Sequence, residues 1–294
     1  MSAGARSREE SLVGIQWVED HLADPSLVLL EVDERPALYE LGHVPGARRL
    51  DWASDLQDPV RRGIPDAEAM SGLWERAGVR EDSTVVFYGD LNNWLAAFGY
   101  WLFSAYGLRS VRLLDGGRQA WVTSGRALSR ESPPARRDGL VPEPRFRPEL
   151  RADRDDVARA AREGQLVDVR TPEEYVGDWL SEPEFPGESA QRPGHIPGAV
   201  NVPWDEVLQL DGTLRSDAEL TGLYAAAGLS PQAETVSYCR IGERSAHTWF
   251  VLHEILGWPT VRNYDGSWTE WGSMVGMPVA LGPAPGRFPD GPAD

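Results

Sequence analysis

The residue best suited to covalent chemistry is Cys239, the one cysteine in 294 residues. It opens the run Cys239-Arg240-Ile241-Gly242-Glu243-Arg244-Ser245. A single cysteine forms no internal disulfide, and it completes neither a CxxC redox pair nor a cysteine-rich zinc site. What remains for it is work as a nucleophile or a carrier. The default for a free cysteine is a small buried hydrophobe. Two arginines, a glutamate and a glycine directly after it favour reactivity instead. Successive backbone N–H groups, the terminus of a following helix and the cations Arg240 and Arg244 are expected to hold a thiolate and lower its pKa.

Arg240 and Arg244 are the candidates for binding the charged end of an anionic substrate. The competing reading of Arg244 is a solvated salt bridge to Glu243 or another acid. Glu243 fits poorly beside an anion and is expected to point outward or to pair with an arginine.

The elements that must position this loop can be read on either side of it. Residues 235–238 are short and β-prone, as a buried strand should be. Residues 246–256 read as a helix with Trp249, Phe250, Leu252 and Ile255 or Leu256 turned inward. Residues 261–264 form another strand, closed by the turn Asp265-Gly266. Upstream, the apolar run 165–169 leads into Thr171-Pro172-Glu173-Glu174. That is a helix start, with Thr171 as N-cap, proline at the first helical position and acids in the first turn. Strand–helix alternation implies an α/β fold with a mainly parallel sheet covered by helices on both faces. Ligands of such sheets bind at the carboxyl ends of strands, and Cys239 sits at one.

The chain is also written twice. Gly42-His43-Val44-Pro45-Gly46-Ala47 recurs as Gly194-His195-Ile196-Pro197-Gly198-Ala199. An offset of 150 without a gap pairs Val86-Phe87-Tyr88 with Val236-Ser237-Tyr238, Asp115-Gly116 with Asp265-Gly266, and Trp121 with Trp271. Two similar domains are expected, 8–128 and 151–280. Residues 129–150, rich in proline and arginine, read as a linker, and 281–294 as a disordered tail. Between Tyr175 and Gly194 the second copy carries an insertion, expected as a surface loop that borders the site. The first copy replaces the cysteine loop with Gly89-Asp90-Leu91-Asn92-Asn93-Trp94-Leu95. A residue kept in the copy without cysteine is more readily structural, which applies to His195, Asp265 and Trp271. His247 has no such partner, and a helix-surface position is expected for it.

Composition narrows the classes. A formal net charge of −17 with no Lys/Arg-rich run argues against nucleic acid and anionic lipid as partners. No apolar run is long enough to span a membrane, and the first ten residues lack a secretory signal, so a cytoplasmic protein is expected.

The repeated G-H-[IV]-P-G-A segment, the run Asp265-Gly266-Ser267-Trp268 and a cysteine loop in the second copy alone resemble the tandem rhodanese family, the thiosulfate and 3-mercaptopyruvate sulfurtransferases. The resemblance covers about 13–279. It implies two tandem rhodanese-like domains, an inactive first and a catalytic second. It further implies a catalytic Cys239 and a substrate-binding loop of Arg240, Ile241, Gly242, Glu243, Arg244 and Ser245. In the implied ping-pong reaction Cys239 takes sulfur from a small anionic donor as a persulfide and passes it to cyanide, a thiol or a protein cysteine, with no cofactor or metal.

Arg240 after the cysteine leans towards thiosulfate as donor. Ile241 stands where the family pattern has lysine, Glu243-Arg244 replace small residues, and Glu174 stands where the family has a second substrate arginine. 3-Mercaptopyruvate and a partner-dependent persulfide relay therefore remain alternatives. A rhodanese-like phosphatase needs a loop one residue longer, with arginine at position 245 rather than 244.

Overall fold

The computed structural model describes residues 7–134, 138–181, 183 and 190–289. Among these, 7–147 with 208–214 form one compact unit, and 148–207 with 215–289 form the other.

The first unit is built on a sheet of β1 (Leu12–Val13), β2 (Leu27–Glu31), β3 (Arg48–Arg49), β4 (Thr84–Tyr88) and β5 (Val111–Leu114). The strand order is β1-β5-β4-β2-β3, and every pairing is parallel. The second unit repeats it with β6 (Gln165–Asp168), β7 (Ala199–Asn201), β8 (Thr235–Tyr238) and β9 (Val261–Asn263), in the order β7-β6-β8-β9. These pairings too are parallel. In place of a strand matching β1, a single bridge joins Arg151 to Asn263. The central strands β4 and β8 are buried throughout except for Thr84, which explains their unbroken β-prone runs.

The two copies keep one buried framework by different means. Tyr88 and Tyr238 each accept an amide proton from the histidine turn, from Val44 and Ile196, both at 3.1 Å. His43 stacks on Tyr39 and His195 on Tyr175, and both ring nitrogens of each histidine lie against backbone carbonyls. This is the structural role expected for them. In the first unit Arg118 joins Glu31 and the carbonyl of Gly42. At the matching position the second unit has Trp268, and Arg170 supplies the guanidinium instead. Arg170 pairs with Asp168, reaches the carbonyl of Gly194 and lies 4.6 Å from the Trp268 ring centre.

Thr171 caps the helix Pro172–Val176 as its sequence predicts, in a reciprocal box with Glu174. Other expectations need correction. The segment read as a linker is laid onto the first unit: Ser129 bridges His43, Leu140 accepts from Glu81, and Arg145 donates to Tyr106. Backbone groups beside a packed surface need partners, and this segment takes them there.

Over 281–289 the tail is not disordered either. Phe288 is buried against Trp271 with Arg162 over its other side, and Pro285 accepts from Gly198. One buried aromatic outweighs a Gly/Pro-rich composition. Residues 290–294 lie outside the described residues, as do 182 and 184–189 of the insertion. Its far end is fixed where Arg192 donates to the carbonyls of Trp271, Gly272, Met274 and Met277.

Candidate active site

The loop after β8 brings Gly242, Glu243 and Ser245 to the Cys239 sulfur. Cys239 is fully buried. Gly242 N–H donates to its Sγ at 3.1 Å, and Ser245 Oγ lies at 3.7 Å. The thiol itself faces a carboxylate, with Glu243 Oε2 3.2 Å from Sγ. From here the helix Glu243–Trp249 runs on, continuing in π-helical form over Phe250–Ile255.

Neighbouring segments hold the loop at its backbone. Cys239 N–H donates to Ser267 Oγ (3.0 Å), and its carbonyl accepts from Trp268 N–H (3.0 Å). Ser267 adopts the left-handed conformation (φ 50°), at the position where the first copy has Gly117 (φ 56°). Asn263, at the end of β9, donates to the Gly242 carbonyl and accepts from Ser245 Oγ. Gly242 has φ 101°, and a Cβ there would stand 2.7 Å from the Asp265 Cα. Only glycine fits both the dihedral and the close approach.

The equivalent loop of the first unit is closed to such chemistry. A Cβ on Gly89 would stand 2.0 Å from the Val32 carbonyl oxygen, so no cysteine side chain fits at the position matching Cys239. Asn93, the counterpart of Glu243, turns inward and accepts from Gly89 N–H at 2.9 Å.

Arg244 is buried and bound by both oxygens of Glu174, at 2.8 and 3.2 Å. The ion pair considered from sequence, to Glu243 or another acid, is thus present with Glu174, but it is desolvated. Of the two alternatives expected for Glu243, the outward one is corrected, since it is buried at the sulfur. The pairing with an arginine is present, as a long ion pair to Arg244 of 3.8 Å. Arg240 and Ile241 are also buried.

The expected lowering of the Cys239 pKa is reversed. Burial pushes the thiol up and the Glu243 carboxylate adds to this, against Arg244 and the Ser245 hydrogen bonds. Counting nearby cations omitted desolvation, the larger effect here. His247 is likewise not on a surface: it is buried with its ring edge-on to Trp204, and burial depresses its pKa to about 4. The roles of Glu174, Asn263 and Ser267 were missed from sequence. Glu174 and Ser267 left faint traces, as an acid where an arginine was expected and as a serine opposite a glycine of the repeat.

Comparison with known proteins fits this geometry. The model of the rhodanese-like domain matches the chain twice, over residues 15–124 and 153–274. The chain belongs to the rhodanese family. A Mycolicibacterium smegmatis rhodanese with the provisional name thiosulfate sulfurtransferase is 50% identical, the match covering 94% of this chain and 99% of that one. The sulfur carrier protein TtuD of Thermus thermophilus is 50% identical over 93% of this chain and 97% of its own. Among solved structures, the anaerobic ergothioneine biosynthesis enzyme of Chlorobium limicola with trimethyl histidine aligns with a TM-score of 0.82 at 26% identity. That alignment covers 94% of this chain and 71% of the enzyme. A variant of the enzyme EanB bearing a cysteine persulfide with ergothioneine aligns with a TM-score of 0.81 at 25% identity, over 94% of this chain and 72% of that one. Among the described residues no helix is long and apolar enough to cross a membrane.

Proposed function

We propose that this rhodanese moves the outer sulfur of thiosulfate to a thiophilic acceptor through a persulfide on Cys239. The observation that carries the reading is a cysteine at the carboxyl end of the central strand β8, its sulfur held by the Gly242 N–H, where the first copy has Gly89. The Cys239 thiolate attacks the sulfane sulfur, a new S–S bond forms, and the S–S bond of thiosulfate breaks with its electron pair leaving on sulfite. The persulfide anion then gives its terminal sulfur to the acceptor, and Cys239 leaves as thiolate. A covalent intermediate divides one transfer into two easier ones.

In this reading Arg240 to Ser245 form the substrate-binding loop, with Gly242, Glu243 and Ser245 against the sulfur. Arg240 supplies positive charge for the sulfonate end, while Arg244, held by Glu174, shapes the wall. Backbone N–H groups already in place stabilise the anions of both halves without reorganising. Glu174 leaves a donor carboxylate without an arginine from that helix, which favours thiosulfate over 3-mercaptopyruvate.

The test is thiocyanate formation by the purified protein with cyanide as acceptor and either donor in turn. Faster turnover with thiosulfate supports the reading, and faster turnover with 3-mercaptopyruvate reverses the donor. The sulfur-carrier name of the Thermus relative favours a second reading, transfer to a protein cysteine. Sulfur uptake from thiosulfate with no release to cyanide or small thiols is its signature.

A further inference from the structure

Glu243 is the least expected member of the loop. An anion-binding cradle gains nothing from a carboxylate, and this one is buried with its oxygen 3.2 Å from the sulfur that must become a thiolate. Its other oxygen accepts no hydrogen bond and lies 3.8 Å from Arg244 Nε. The stronger claim on Arg244 is made by Glu174, with two contacts at 2.8 and 3.2 Å. Glu243 is thus placed by the loop, facing the thiol, in a long ion pair with Arg244. Gly242 N–H also donates to the sulfur, at 3.1 Å. The sulfur therefore has within hydrogen-bond reach both a proton acceptor and a donor suited to its anion.

Resting on the persulfide reading above, the geometry points to Glu243 as the catalytic proton acceptor of Cys239. The Cys239 S–H bond breaks as the sulfur attacks, and its proton moves to Glu243 Oε2. The sulfur's electron pair forms the bond to the sulfane sulfur, and the S–SO3 pair leaves with sulfite. When cyanide removes the outer sulfur, the Cys239 thiolate is regenerated and the proton returns from Glu243. With a thiol acceptor, the acceptor's proton leaves on the released persulfide while the proton on Glu243 returns to Cys239, so the cycle closes without an external acid or base.

This device answers the problem posed by burial, which raises the thiol pKa. Among the described residues, these charged and polar groups bear on it. Arg244 lies on the same helix, Glu174 on the helix Pro172–Val176 holds Arg244, and Asp265, against Gly242, is held by Arg151. Arg240 and Ser245 complete the loop.

Because Cys239 is the one cysteine, its reactivity is read without ambiguity. The full chain, Glu243→Gln and Glu243→Asp are treated with iodoacetamide from acid to alkaline pH, and alkylation is followed by intact mass. A carboxylate that takes the proton makes the wild-type rate nearly independent of pH through neutrality. Glu243→Gln reacts only through free thiolate, and its rate falls about tenfold per pH unit below the thiol pKa, leaving it roughly a hundredfold slower at neutral pH. Glu243→Asp, one methylene shorter, is expected between the two.

The opposite outcome is specific. If Glu243 acts only as a repelling charge, Glu243→Gln ionises Cys239 more readily and reacts faster at neutral pH. That result, or parallel profiles, overturns the assignment. Failure of the wild type to take sulfur from thiosulfate would overturn the donor reading while leaving this profile intact.

Discussion

Glu174 and Arg244, 70 positions apart, form a bidentate ion pair with both side chains removed from solvent. Glu174 closes a helix N-terminus through its capping box with Thr171, and the same carboxylate fixes the guanidinium behind the cysteine loop. Arg244 in turn holds the Glu174 carboxyl below its ordinary pKa, against burial, which acts in the other direction.

Removing one partner strands a buried charge. Glu174→Gln is expected to lower unfolding stability by about 3–5 kcal/mol, as broken buried pairs do. The double variant Glu174→Gln/Arg244→Met should recover much of that loss. Urea denaturation of the three proteins checks it. A loss below 1 kcal/mol in the single variant would mean the pair is solvated.

Gly242→Ala tests the loop backbone. A methyl group at φ 101° and 2.7 Å from the Asp265 Cα forces either the loop or the turn that Arg151 holds to move. The strain costs about 1–3 kcal/mol. The larger effect is on activity, because a shift near 1 Å in a reacting atom can cost about a hundredfold. Sulfur uptake should fall by that order while the fold survives, as judged by circular dichroism and single-turnover rates.

Much of this arrangement was legible in the sequence. The repeat register placed Tyr88 opposite Tyr238 and Gly89 opposite Cys239, and Thr171-Pro172 marked its helix correctly. What escaped was set by packing between distant segments. Nothing local to Arg244 names Glu174 as its partner. His247 was read as surface because an amphipathic helix has one wet face, whereas the helix Glu243–Trp249 is covered on all sides. For Glu243 the repulsion expected between a carboxylate and an anion suggested an outward side chain or an arginine partner. The partner is there, and the burial at the sulfur was what escaped. The repeat did carry a hint, since Asn93 at the matching position also turns inward.

His247 makes stability depend on pH in a defined window. In the folded chain burial depresses its pKa to about 4, while the unfolded chain binds the proton near 6.5. Between these values the unfolded state holds more protons, so stability rises with pH and is lost as pH falls from about 6.5 towards 4. The full effect is roughly 3 kcal/mol. His247→Phe, which keeps an aromatic edge for Trp204, should flatten this part of the profile. Denaturation midpoints from pH about 4 to 7 compare the two proteins, and an unchanged slope would place the titration elsewhere.

The central claim is that sulfur is carried on Cys239. Intact mass spectrometry after brief exposure to thiosulfate measures this directly, on the wild type and on Cys239→Ser. The expected result is a gain of one sulfur atom in the wild type, removed again by cyanide, and no gain in Cys239→Ser. Sulfur bound by Cys239→Ser, or a wild type that turns thiosulfate over without ever carrying sulfur, would contradict it.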